Sequence, residues 1–134
     1  MNSCLPNFRS ACKLAFAVVP LILVTGQGVA AGVVEITWDA SRHFDRSLTV
    51  VPGKVLEVCG KLPASQKVQW KFEADTPLKF NVHYHMGKDI VYPSKLEAVK
   101  VAHGVLETQT EQSYCWMWSN SSKNAVAVTL QLSR

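Results

Sequence analysis

The chain has 134 residues, 48% of them hydrophobic, and a formal net charge of +4. That is room for one domain with an ordinary core, and the composition argues against both a second domain and a disordered chain. Its lysines are scattered among acidic residues with no basic cluster, so the charge does not point to a nucleic-acid partner.

The N-terminus runs from MNSCLPNFRSACK through LAFAVVPLILV to TGQGVAAG. A short positive region, an apolar run of about ten residues and small residues at a cleavage-like site are the three parts of a secretory signal peptide. The apolar run is too short for a membrane span, which needs roughly 20 residues. Residues 1–31 are therefore expected to be the signal, cut after Ala30 or Ala31, and residues 32–134 the mature domain. Removal takes Arg9 and Lys13, so the charge falls by two to +2. The address is periplasmic or secreted, and no second apolar segment long enough to span a bilayer follows. Cys4 and Cys12 leave with the signal, and Cys59 and Cys115 stay. Two cysteines in an oxidising compartment usually pair. That disulfide would close a loop of more than fifty residues and contribute on the order of 3 to 4 kcal/mol; metal ligation and inert thiols are the alternatives.

From Val33 onward, short alternating runs separated by turn residues predict an all-β, antiparallel sandwich of about eight strands. VEITW puts Val34, Ile36 and Trp38 on one side, and DASRHFDRS follows as a polar loop holding His43. SLTVV meets the Pro52–Gly53 turn, and KVLEVCG continues with Leu56 and Val58 on one face, Glu57 and Cys59 on the other. VQWKFEA turns Val68, Trp70 and Phe72 inward. DTP is expected to turn into LKFNVHYHM, where Leu78, Phe80, Val82 and Tyr84 are apolar and Asn81, His83 and His85 share the opposite face. GKD makes a tight turn into IVYP, SKLEAVKVAHG fits either a short strand or a helical turn, and GVLETQTEQ is a strand ending in a polar turn. In SYCWMWSN, Tyr114, Trp116 and Trp118 alternate with Cys115 and Met117, and AVAVTLQLS closes the chain with Val126, Val128, Leu130 and Leu132 on one face.

The order of these elements resembles the GOLD (Golgi dynamics) domain, a β-sandwich of cargo receptors and some lipid-binding proteins. The matching residues are Trp70 and Phe72, Phe80 and Val82, then Tyr114, Trp116, Trp118 and Asn120. The likeness covers roughly Leu48 to Leu132. It implies a jelly-roll-like sandwich and carries little about function, because these are mostly core positions. HYHM and CWMW stand outside the general pattern and suggest a compact exported version of bacterial type.

Chemistry is expected at HYHM. An H-x-H pair on one strand face, its side chains about 7 Å apart along the strand, can hold copper or zinc when further ligands arrive from a neighbouring strand. Met86 beside the pair and Met117 between two tryptophans offer soft thioether sulfur. The candidate metal set is thus His83, His85, Met86 and Met117, set against the plain alternative of polar-face histidines. A blue-copper carrier does not fit, since no histidine follows Cys115. Parity places the tryptophans in the core and not on a sugar-stacking surface, Trp118 at a strand end excepted. Asn120-Ser121-Ser122 is a glycosylation sequon, meaningful only on a eukaryotic route. No nucleophile elbow, paired-carboxylate motif or phosphate loop stands out. The expected function is a non-catalytic binding module for a metal ion or, alternatively, a protein-interaction module of the cell envelope.

Overall fold

The computed structural model describes residues 32–134. The signal-peptide expectation for residues 1–31, Cys4 and Cys12 included, lies outside the described residues. Seven strands follow one another: β1 (Gly32–Glu35), β2 (His43–Val50), β3 (Val55–Leu62), β4 (Lys67–Met86), β5 (Asp89–Glu107), β6 (Gln112–Ser119) and β7 (Val126–Ser133). They form one sheet in the order β1-β3-β6-β4-β7-β2, with β5 paired to the other side of β4. The protein is all-β, as alternation implies. Two expectations are corrected. The strands number seven among the described residues, and the pairing is mixed, because β1 runs parallel to β3.

The lower strand count has a single cause. The expected turn at Asp75-Thr76-Pro77 is a bend inside β4, and IVYP, SKLEAVKV and GVLE merge into β5. β4 changes partners across the bend: Gln69–Ala74 pair with β7, and Lys79–His83 pair with β6. β5 follows both halves and takes up the mismatch in bulges, one of them marked by Ala98 at φ 52. A bulge adds a residue to one strand, bends it and increases its twist. Phe72 and Phe80, which a straight strand would hold about 27 Å apart, meet at 4.6 Å between ring centroids. The sheet therefore closes on itself around the core, an arrangement compatible with the expected sandwich.

The alternating residues fill that core. Val68, Trp70 and Phe72, Phe80 and Val82, Tyr114, Trp116 and Trp118, and Val126 through Leu132 at every second position are all buried. Trp118, expected as the exception at a strand end, is fully buried like Trp116. β2 begins at His43, where a loop was expected, because Phe44 enters the core and the strand pairs with β7 over its full length. Asn120 is buried, its Nδ2 donating to the carbonyls of Val50 and Asn124 while its Oδ1 accepts from the Ser122 amide. A buried amide nitrogen holding two acceptors is not a glycan acceptor in the folded chain.

Gly104 sits opposite Trp70 in the β4–β5 ladder. A Cβ there would lie 2.6 Å from Trp70 Cζ2. Gly104→Ala is expected to push the indole off its site and destabilise the protein by about 1–3 kcal/mol, read from the urea midpoint; a change below about 0.5 kcal/mol would show that the tryptophan yields freely.

Candidate functional site

The outward face of β3, β6 and the second half of β4 carries the chemistry. Register puts Cys59 opposite Cys115, and Cys115 opposite His83, so one row crosses three strands. The expected disulfide forms within that row: Cys59 and Cys115 are bonded, with Cα atoms 4.1 Å apart and a separation of 56 positions in sequence. Such a bond fits an oxidising compartment. Among the described residues no helix is long and apolar enough to cross a membrane.

His83 is the buried histidine of the row, 5% exposed. Its Nδ1–H donates to Asn81 Oδ1 at 2.8 Å, which fixes the ring and leaves Nε2 as the lone-pair nitrogen. Burial pushes its pKa down, the Glu57 carboxylate pulls it back up, and the neighbouring His85 lowers it further. The His85 ring stands edge-on 5.4 Å from that of His83, and the Tyr92 ring of β5 lies 6.0 Å from it. Glu57 completes the cluster: one of its oxygens, a His83 ring nitrogen and Cys115 Sγ lie within 4.8 Å of one another. Its Oε2 is also 3.8 Å from Cys59 Sγ.

The candidate metal set does not assemble as expected. His83 and His85 do share a face, and half-buried Met117 shares it too, one row away between Glu57 and Asn81. Met86 does not. It follows His85 directly, points to the opposite side and is 52% exposed at the hairpin end. Glu57 and Asn81 were missed. Strand parity had already placed Glu57 with Cys59 and Asn81 with His83; what was lacking was the order of β3, β6 and β4 in the sheet.

Beyond His83, β4 pairs with β5 alone through Tyr84, His85 and Met86. This end of the hairpin is a two-stranded arm turning at Gly87, whose φ of 61 suits glycine. Met86, Ile90 and Tyr92 are exposed by 52%, 45% and 44% on and beside it. Lys95 Nζ lies 5.4 Å from the Tyr92 ring centroid. On the opposite half of the sheet, His43, Gln69, Lys71, His103 and Gln131 line an open groove of about 450 Å³. Lys71 is already paired with Glu73 there. Of the tryptophans only Trp38 is half-exposed, and the Arg134 guanidinium covers its ring at 4.5 Å.

Compared with family models and with curated protein sequences, the chain has no match. Among the solved structures similar to it in fold are three small β domains. One is PliG of Aeromonas hydrophila, a periplasmic inhibitor of g-type lysozyme, at 13% identity and TM-score 0.58 over 78% of this chain and 96% of that one. Another is the pre-peptidase C-terminal domain of a Bacillus anthracis collagenase, at 8% identity and TM-score 0.55 over 77% and 96%. The third is PliG of Salmonella Typhimurium, at 9% identity and TM-score 0.50 over 75% and 96%. At such identities the likeness is one of fold, a small β domain. It does not confirm the GOLD assignment, whose matching residues are core positions that many β-sandwiches need.

Proposed function

We propose that the mature chain is an exported, non-catalytic module that binds a protein partner, and that it acts as an inhibitor of a cell-wall hydrolase of the g-type lysozyme class. The observation that carries this reading is the fold it has in common, over 96% of their lengths, with two proteins described as periplasmic inhibitors of that enzyme. The disulfide supports the exported address, periplasmic or secreted. The β4–β5 arm supports a protein partner: aromatic residues and Met are enriched at interfaces, and exposed Ile90 and Tyr92 stand on the His85 face of this hairpin, with exposed Met86 on its other face. The GOLD assignment is the finer reading of the fold, supported by Trp70, Phe72, Phe80, Val82, Tyr114, Trp116, Trp118 and Asn120 in the core or its flank.

The mature protein is expected to form a complex with g-type lysozyme and to slow its lysis of cell walls. Tyr92→Ala and Ile90→Asp should each weaken the complex about thirtyfold, the effect of losing one interface anchor of about 2 kcal/mol, with an unchanged unfolding midpoint. Absence of both complex and inhibition would remove the lysozyme class as partner. Full inhibition by both variants would move the contact away from the arm.

A further inference from the structure

We propose that Glu57, Cys59, His83 and Cys115 form a dithiol-gated zinc site, closed while the cysteines are bonded to each other and complete once they are reduced. It is independent of the inhibitor reading and uses different residues from the arm.

The donors are already gathered by backbone pairing. Cys59 and Glu57 come from β3, Cys115 from β6 and His83 from β4, and these strands are consecutive neighbours in the sheet. The Glu57 oxygen, the His83 nitrogen and Cys115 Sγ lie within 4.8 Å of one another, and Cys59 Sγ is bonded to Cys115 Sγ and 3.8 Å from Glu57. Tetrahedral zinc with bonds of 2.0–2.3 Å sets its ligands about 3.3–3.8 Å apart. For Glu57, His83 and Cys115, closing from 4.8 Å to that spacing takes about 1 Å of side-chain movement, and on reduction the Cys59 and Cys115 sulfurs part to reach it. Asn81 holds the histidine by accepting its Nδ1–H. A neighbour that orients a ligating imidazole in this way is the usual second layer of a zinc site.

The gate follows from sulfur chemistry. Zinc takes thiolates, and a disulfide has none to give, so the bonded form offers only Glu57 and His83 from this group. An external dithiol supplies two electrons and two protons: the Cys59–Cys115 bond breaks, two thiols form, and the donor leaves as its own disulfide. Zinc then displaces the two thiol protons and binds both sulfurs. His85 and Met117 stand beside the cluster and are not members of it.

The test titrates the mature protein with Zn(II) against a competing chelator, oxidised in one sample and phosphine-reduced without oxygen in another. The reduced form is expected to take zinc at least about a hundredfold more tightly, since two of the four ligands exist only there. In the reduced form His83→Ala should weaken binding at least about tenfold, because even second-layer losses cost 10–100-fold. His85→Ala should leave it unchanged. Equal binding by oxidised and reduced protein overturns the gate. Equal binding by the parent and His83→Ala overturns the site, as does an equal loss in His85→Ala, which would return the metal to the H-x-H pair. If reduction unfolds the chain, zinc-driven recovery of the far-ultraviolet β signal is read in its place. Recovery in the parent but not in His83→Ala supports the site; recovery in both or in neither overturns it.

Discussion

Trp118→Ala is expected to lower stability by about 3–5 kcal/mol, the cost of emptying a buried aromatic site, which is a large part of the roughly 5–15 kcal/mol that holds a small domain folded. Trp118 is fully buried and pairs with Leu56 of β3 and Phe80 of β4. Its ring lies 5.4 Å from Phe80 and stands edge-on to Phe72 at 5.5 Å. Phe72 and Phe80 belong to opposite sides of the β4 bend, so this one side chain fastens the two halves of the sheet. Phe72→Ala, on the far side of the same contact, should not add its full cost to that of Trp118→Ala, because contacting residues couple. The indole itself carries a liability: among the described residues no acceptor reaches its buried Nε1. Trp118→Phe deletes that orphan donor while keeping a ring, and should cost less than half as much as alanine. Urea unfolding of the three proteins decides it. Equal losses for phenylalanine and alanine would mean that shape at this joint, and not apolar volume, sets the stability.

Parity was the legible part of this fold. Tyr114, Trp116 and Trp118 alternate with polar or outward residues, as do Val68, Trp70 and Phe72 and the residues from Val126 to Leu132, because each of these strands has one face in the core. The misread segments are those where local chemistry and long-range pairing disagree. Asp75-Thr76-Pro77 has turn residues, all exposed, yet β5 runs alongside both flanks, so the chain bends within one strand and does not reverse into a hairpin. Ser94–Gly104 lies on a sheet edge with most residues exposed or half-exposed on both sides, so no period of two could emerge. Asp45, Arg46 and Ser47 are exposed in succession, and only the β7 ladder makes them a strand. The site was half legible for the same reason. His83 with His85, and Cys59 with Cys115, follow from parity and from pairing two cysteines. That His83 sits beside the disulfide, with Glu57 next to it, depends on which strands are neighbours, and sheet order is not written in any local run. GOLD-like core positions were visible because any closed β sheet of this size needs bulky residues there.

The second large effect is expected at the disulfide. A bond closing 56 positions restricts the unfolded chain by about 4 kcal/mol in the loop-entropy description. The same bond adds little to the folded chain, since β3 and β6 are already paired over the whole stretch from Val55 to Leu62. Its weight therefore falls on the unfolded state, and that gives the prediction a second signature. The double variant Cys59→Ser, Cys115→Ser should unfold at lower urea and with a larger m-value, because an unbridged chain exposes more surface. The serines are suited to the comparison: Glu57 lies beside both positions and His83 beside Cys115 as hydrogen-bond partners, so the loss is not that of stranded polar groups. A loss near 4 kcal/mol with a raised m-value places the stabilisation in the unfolded chain. A similar loss with an unchanged m-value would place it in the folded sheet, where the row Cys59, Cys115 and His83 would then be the rigid centre of this face. A loss below about 1 kcal/mol would mean that the β3–β6 ladder holds without the bond, leaving the cysteines free to serve as the reducible half of the cluster they share with Glu57 and His83.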